Sequence, residues 1–414
     1  MPQRLVVTGA SGYLGARFVE RAQERGCEVV ALGSKPPGST IVATPWRLGE
    51  PARLTAFAGA TAVVHLAHDW ASDRFHGDTP GNPNLIGTEM LARAAREAGV
   101  PRFVFASTNS ARPRALNAYG RIKHQTEERL RTQPRSEGRV FCARIGLVYG
   151  GPERAQYGLM SKLARLPVLP MFGLDREVQP IHIDEVCDGL LRLALDPPTD
   201  RPTAVLAGPA PVRFGAWLRT LRRGRLGKSL LLVPVPIALA LKACDWSRSI
   251  SFIPTVDRER VLGLAGAAPM DSAADLAALG LSLRDPMRAL MQSRPARRRL
   301  IAECAALLRY VAGAPVRSPG AIIRLARVMR NDPAFRRALP SLGVRWPPLL
   351  RFVEPIRPSM GHSLARRLHL AAMVVETLPS EQARRRPGLF AVAAQLLLET
   401  LALPFRLLFG RVSA

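Results

Sequence analysis

Thr8-Gly9-Ala10-Ser11-Gly12-Tyr13-Leu14-Gly15 is the stretch that decides the fold of this 414-residue chain. It follows directly on the apolar run Leu5–Thr8 and opens an amphipathic segment over about 13–25. Each glycine has its own physical use: Gly9 for a tight turn, Gly12 for close approach of a pyrophosphate, Gly15 for packing the helix on the sheet. The helix that starts here offers unpaired N–H groups and the positive end of its dipole to phosphate. Ser11, Tyr13 and Leu14 belong to the same turn and are read with the three glycines as cofactor-binding residues.

Working outward, short β-branched runs alternate with helical patterns. The runs are Leu5–Thr8, Glu28–Leu32, Ala62–Leu66, Phe103–Ser107 and Val140–Ile145, and the helical patterns fall at about 84–98, 119–132 and 184–195. Alternation of this kind predicts an α/β fold, a Rossmann-type doubly wound parallel sheet. Beyond about residue 150 the pattern loosens. Segments 150–180 and 208–290 are rich in Pro, Gly and Leu and are expected to form a smaller substrate lobe. The expected division is a dinucleotide-binding domain over 1–293, its Rossmann core about 1–200, and a mainly helical extension over 294–414. Ser293–Arg299 reads as a linker or helix start, and helices are expected at Leu300–Ala312, Ile322–Met329, Leu364–Thr377 and Leu389–Leu403.

At the end of the second strand, where an acid would accept from a ribose 2′-hydroxyl, stand Gly33, Ser34 and Lys35. A hydroxyl and a cation suit a 2′-phosphate, so NADP is favoured over NAD, with Ser34 and Lys35 holding it. Tyr119 and Lys123 are four apart and share one helical face. An ammonium beside a phenol favours the phenolate, which fits Tyr119 to proton exchange at a carbonyl or carbinol oxygen. Lys123 can also bond the nicotinamide ribose. Thr108 ends a strand, on the edge where open α/β sheets bind ligands. Thr108, Tyr119 and Lys123 are therefore the catalytic candidates.

These landmarks resemble the extended short-chain dehydrogenase/reductase family, also called the NAD-dependent epimerase/dehydratase family, over about residues 4–290. Thr8–Gly15 resembles its T-G-x-x-G-x-x-G turn and Tyr119–Lys123 its Y-x-x-x-K. Val64-His65-Leu66-Ala67 resembles the strand beneath the cofactor, which implies that Leu66 and Ala67 contact it. Asn84–Thr88, Phe105–Thr108, Arg144–Gly150 and Ile181–Val186 resemble four further family motifs in order. The resemblance implies an NAD(P)-dependent oxidoreductase or epimerase acting on a small molecule, with His68, Asn109 and Arg144 toward the substrate. His182 is expected to be a structural hydrogen-bonding histidine.

Departures from the family pattern narrow this. Dehydratases carry Thr-Asp-Glu where this chain has Thr108-Asn109-Ser110, and neither replacement exchanges protons at neutral pH, so dehydration is disfavoured. Leu147 replaces the Asn that holds a sugar nucleotide's diphosphate. The segment 109–118 is short and contains Arg112 and Arg114. Trp46-Arg47-Leu48 replaces the adenine-contacting Asp, and Arg47 is a candidate for a 2′-phosphate or the adenine face. An alternative to catalysis is a non-catalytic NADP(H)-binding sensor or assembly protein that docks through its C-terminal region.

The formal charge is +27, and residues 294–414 hold 21 Arg, no Lys and 6 acids. Within it, Arg384-Arg385-Arg386, the apolar stretch Leu389–Phe409 and Arg411 suit either a small helical domain or a contact with an anionic membrane surface or a protein through 384–411. No finger, RNP-type or helix-turn-helix pattern accompanies the charge, so nucleic acid is not expected. The five cysteines include no C-x-x-C pair; no metal site is expected, and the thiols read as reduced and mostly buried. With no signal-peptide pattern and no uninterrupted apolar span, a cytoplasmic location is expected, with membrane association left open. The oligomeric state is not legible.

Overall fold

The computed structural model describes residues 3–132, 138–197, 201–247, 257–291, 297–316, 318–331, 335, 339–354 and 363–378. By internal contacts the chain divides into two units, one formed by 1–218 and 231–286, the other by 219–230 and 287–414.

The first unit is built on a seven-stranded sheet of β1 (Arg4–Thr8), β2 (Glu28–Leu32), β3 (Val42–Thr44), β4 (Ala62–His65), β5 (Arg102–Thr108), β6 (Arg139–Ile145) and β11 (Thr203–Leu206). The order is β11-β6-β5-β4-β1-β2-β3, and every neighbouring pair is parallel. It is the expected Rossmann-type sheet. The chain reverses its winding between β1 and β4, which opens a crevice at their carboxyl ends, where such sheets bind ligands. The helices between these strands are α1 (Tyr13–Glu24), α2 (Trp70–His76), α3 (Pro83–Glu97), α4 (Ala118–Arg131), α5 (Ala155–Leu163) and α6 (Ile183–Leu195).

Strand alternation sorts the core into two layers. Leu5, Val7, Val64, Val104 and Phe141 pack with Phe18 of α1 and with Val186 and Leu190 of α6. Val6, Val63, Phe103 and Phe105 pack with Leu91 of α3 and Leu130 of α4 on the other face. Every inward position is thus covered, which is why these strands read as continuous apolar runs. Asp69 and Asn82 cap α2 and α3 with their side chains. His182 caps α6 through Nδ1, which accepts from the Asp184 N–H, while Glu185 reaches back to the His182 N–H.

The same unit carries three two-stranded sheets outside the main one. In the first, β7 (Leu147–Tyr149) pairs with β10 (Pro180–His182); in the second, β9 (Glu177–Val178) pairs with β12 (Val212–Arg213); in the third, β8 (Val168–Met171) pairs with β13 (Leu231–Pro234). Helix α7 (Phe214–Leu226) starts in this unit and ends in the other; α8 (Ile237–Ser247), α9 (Arg258–Ala265) and α10 (Ala273–Ala278) follow, and α11 (Pro286–Met291) begins at the boundary.

The second unit is helical in its described part: α12 (Arg297–Ala312), α13 (Pro319–Asn331), α14 (Ser341–Arg345), a 3-10 turn at Pro347–Val353, and α15 (Ser363–Glu376). Leu307, Leu308, Leu325, Met329, Leu350 and Leu368 share one core. Glu303 is fully buried there, taking Arg299 Nε at 2.8 Å and the Leu339 N–H at 3.0 Å on the same oxygen. Three of the expected helices, at 300–312, 322–329 and 364–377, are present as α12, α13 and α15. The stretch Leu389–Phe409 with Arg384–Arg386, Arg406 and Arg411 lies outside the described residues, as does most of the expected linker. No described helix is long and apolar enough to cross a membrane, and no metal-ligand cluster occurs among the described residues. All five cysteines are buried, and none is joined in a disulfide.

Candidate active site

The glycine turn is shaped by contacts that a side chain would destroy. Gly9 has φ +66°, and a Cβ on it would come within 2.7 Å of the Ala67 nitrogen. A Cβ on Gly15 would sit 2.0 Å from the Gly9 carbonyl oxygen. Gly12 is the N-cap of α1, and no side chain caps that end. The first N–H groups of α1 are thus uncapped by any side chain, which fits a pyrophosphate. Tyr13 donates to the Gly150 carbonyl at 2.6 Å and ties the turn to the end of β7.

A hydrogen-bond chain fixes the strand end beside the turn. Thr8 Oγ1 meets His65 Nδ1 at 2.6 Å and accepts from the Leu66 and Ala67 N–H groups at 3.2 and 3.3 Å. His65 Nε2 meets Thr88 Oγ1 at 3.0 Å, and Thr88 in turn donates to the Asn84 carbonyl at 2.6 Å. Asn84 then holds the next loop, accepting from the Asp69 N–H and donating to the Asp69 carbonyl, each at 2.8 Å. Leu66 and Ala67 are thereby held next to Gly9, one on each side of the close approach.

Thr108, Tyr119 and Lys123 come together. Thr108 ends β5, with its hydroxyl close enough to the Tyr119 phenol to influence its ionisation. Tyr119 and Lys123 lie on one side of α4, whose first N–H groups are met by the Glu259 carboxylate of α9, at 2.7 Å for Ala118. Burial is the main influence raising the Tyr119 phenol above its ordinary value; nearby Asp73 adds to it and the Thr108 hydroxyl opposes it. Lys123 is 4% exposed and donates to the Ala106 carbonyl at 2.8 Å. Its ammonium stands 4.3 Å over Phe105 and 5.9 Å from the Tyr119 ring centroid. Burial pushes it down to about 8, against pulls upward from Asp73 and Glu127.

Of the residues expected at the substrate, His68 is beside Tyr119, its ring edge-on at 4.9 Å between centroids. Trp70 stacks on Tyr119 at 4.8 Å, with about half of its surface open to solvent. Asn109 follows Thr108, its N–H bonded to the Ile145 carbonyl. Arg144 is not brought to the phenol. It is committed to Glu127, with Nη2 2.6 Å from Oε2, because Glu127 is fully buried and also takes the Ser107 hydroxyl. A buried carboxylate requires such a partner, so this arginine is held in the packing between β6 and α4. Arg112 likewise donates to the Ala268 carbonyl. The motif residues Gly150 and His182 serve each other, since a Cβ on Gly150 would fall 2.2 Å from His182 Nε2.

Asp73 is the site residue that sequence reasoning missed. Its side chain is buried in α2, with Oδ2 2.8 Å from His68 Nε2 and Oδ1 2.8 Å from Asn84 Nδ2. Nothing in the local sequence marks it, because its importance comes from two other elements folding onto it.

A separate cavity of about 790 Å³ opens at the ends of β2 and β3, lined by Gly33, Ser34, Trp46, Arg47, Glu50 and Arg53 among others. Ser34 and Arg47 were expected here and Arg53 was not. Lys35 does not line it, and its ammonium lies 3.4 Å from the Ile41 carbonyl.

Among curated proteins, the chain is 32% identical over 223 residues to an uncharacterized protein of Mycobacterium tuberculosis, a match covering 51% of this chain and 22% of that protein. It is 35% identical over 121 residues to a 3-beta-hydroxysteroid dehydrogenase of Mycolicibacterium neoaurum, covering 26% of this chain and 32% of that one. The chain thus spans about a fifth to a third of the length of these relatives. Among solved structures, MoeE5 in complex with UDP-glucuronic acid and NAD aligns with a TM-score of 0.54 at 20% identity, over 70% of this chain and 96% of that one, a likeness of fold. Residues 5–207 match the NAD dependent epimerase/dehydratase family, and the Rossmann core of this chain belongs to that family.

Proposed function

We propose that this chain is an NADP(H)-dependent oxidoreductase that interconverts a carbonyl and a hydroxyl on a small molecule, with Tyr119 as the proton donor and acceptor. The observation that carries this reading is the gathering of Thr108, Tyr119 and Lys123 at the carboxyl edge of the sheet beside the glycine turn, with the Lys123 ammonium 5.9 Å from the centroid of the Tyr119 ring. Family membership supports the use of a nicotinamide cofactor, and the glycine turn fits one: a Cβ on Gly9 or Gly15 would collapse the cradle. The β2–β3 cavity supports the phosphorylated form, since Ser34, Arg47 and Arg53 line it with a hydroxyl and two guanidinium groups against one acid, Glu50.

The bound cofactor supplies or accepts the hydride. Thr108 and Tyr119 hold the substrate oxygen between two hydroxyls. In reduction the phenol gives its proton to that oxygen, and the Lys123 ammonium stabilises the phenolate left behind. In oxidation the same phenolate takes the proton from the alcohol. Asn109 and Ser110 provide no acid or base, which disfavours dehydration. The similarity to a protein named as a hydroxysteroid dehydrogenase supports hydroxyl–ketone chemistry.

The test is Tyr119→Phe on the full chain. NADPH binding is expected to survive, while NADPH-linked carbonyl reduction falls by about two to four orders of magnitude. Unchanged turnover in this variant defeats the assignment. Wild-type protein that binds NADPH yet turns over nothing in a broad carbonyl panel favours the non-catalytic reading.

A further inference from the structure

A buried carboxylate stands behind the phenol. The Asp73 side chain is 4% exposed and that of His68 9%. An ionised carboxylate only accepts, so the hydrogen shared at 2.8 Å belongs to His68 Nε2, and burial holds the ring neutral at ordinary pH. The pair therefore carries one net negative charge. It lies one imidazole away from Tyr119, whose ring is 4.9 Å from that of His68. Water is a poor screen here, since Trp70 covers one face of the phenol ring and His68 meets it edge-on.

Among the other charges around this cluster, the Lys123 ammonium opposes it, and that amine, pushed down to about 8, is neutral in the alkaline range where a phenol titrates. Lys123 is the cation nearest the phenol on α4, and it is already bonded to the Ala106 carbonyl. Asp69, next to His68, is turned to Ser72 and the Ala71 N–H. Glu259 of α9 meets the Ala118 and Tyr119 N–H groups and adds a second negative charge on the far side. Arg121 on α4 is paired with Asp78 at 2.6 Å. His65 beneath is fully buried and held neutral by desolvation.

We propose that Asp73, acting through His68, is a positioning residue that adds to burial in keeping the Tyr119 phenol protonated in the resting site, so that the chain is poised to give a proton to a carbonyl and oxidises an alcohol only at high pH. A protonated phenol is the reactant for reduction and must first be lost for oxidation. The carboxylate thus moves the pH at which each direction runs without touching the substrate. This rests on the reading of Tyr119 as the acid and base.

The test reads the phenol directly. Tyrosinate absorbance is titrated in the full chain as wild type minus Tyr119→Phe, and the same difference is taken in the backgrounds Asp73→Asn and Asp73→Glu, over the alkaline range in which circular dichroism is unchanged. Removing the charge is expected to lower the ionisation of Tyr119 by at least about one pH unit, a tenfold change in proton affinity. Asp73→Glu, which keeps the charge and disturbs the shape, is expected to behave as wild type. Asp73→Asn identical to wild type, or Asp73→Glu identical to Asp73→Asn, overturns the proposal. So does a Tyr119 signal in wild type below about pH 10, the ordinary tyrosine value, which keeps the test decisive if the Asn variant does not fold. Absorbance reports on Asp73 whether or not a substrate turns over, so its failure is separable from failure of the Tyr119 assignment, which Tyr119→Phe turnover decides.

Discussion

Lys123 shows at the scale of one residue how a site trades stability for chemistry. Its ammonium is buried and pushed down to about 8, from an ordinary 10.5. Between those two values the unfolded chain binds more protons than the folded one, so folding strengthens as pH rises through that window and weakens as it falls. The shift corresponds to a contribution on the order of 3 kcal/mol. Lys123→Met removes this dependence. Denaturant unfolding of both proteins at several pH values should show the variant relatively more stable at pH 7, with its advantage gone by about pH 10.5; parallel curves would contradict the assignment. Lys123 and Tyr119 were legible because helical spacing pairs them. Asp73 was not, because a buried acid is recognisable only from the donors folded around it, here His68 and Asn84. Arg144 misled for the complementary reason: its partner Glu127 is 17 residues away on another element, and only packing brings the two together.

At the scale of elements, what could be read depended on burial. β1, β2, β4, β5 and β6 are covered on both faces and announce themselves as apolar runs. β3 and β11 are the outermost strands, three and four residues long, and neither stands out as a β-branched run in the sequence. A short edge strand needs neither length nor continuous apolarity, so its pattern is weak. The loop after β3 is nevertheless where cofactor choice is proposed to be read. Arg47 and Arg53 both line its cavity. Replacing both with Glu is expected to weaken NADPH binding roughly tenfold or more, as charge-assisted bonds to a phosphate are lost, while NADH binding changes little. Equal effects on the two nucleotides, measured by fluorescence titration, would remove the cavity from cofactor recognition.

For the whole molecule, the division into units does not follow the order of the chain. Residues 219–230, the last part of α7 and the four residues after it, belong with 287–414, although 231–286 return to the first unit. Leu221 and Leu230 are buried, and a Cβ on Gly224 would meet the Leu290 carbonyl at 2.0 Å. A chain ending at residue 293 keeps the glycine turn and the Tyr119 cluster but loses most of the unit to which these leucines belong. Its melting temperature should fall by roughly 5 °C or more, with NADPH still raising it. A melting temperature equal to that of the full chain would show that α7 needs nothing beyond residue 293. The sequence suggested a simple cut near 293 because composition changes there, whereas the interleaving of 219–230 leaves no compositional trace.

That interleaving has a consequence for biosynthesis. On the ribosome, 219–230 emerge long before 287–378, so half of a helix must wait with its apolar side chains uncovered while the strand after it pairs with β8 and the next helices fold. A nascent chain stalled anywhere in this interval offers a chaperone a defined amphipathic ligand, and synthesis speed across α8 to α11 then governs how much of the product reaches its mature form.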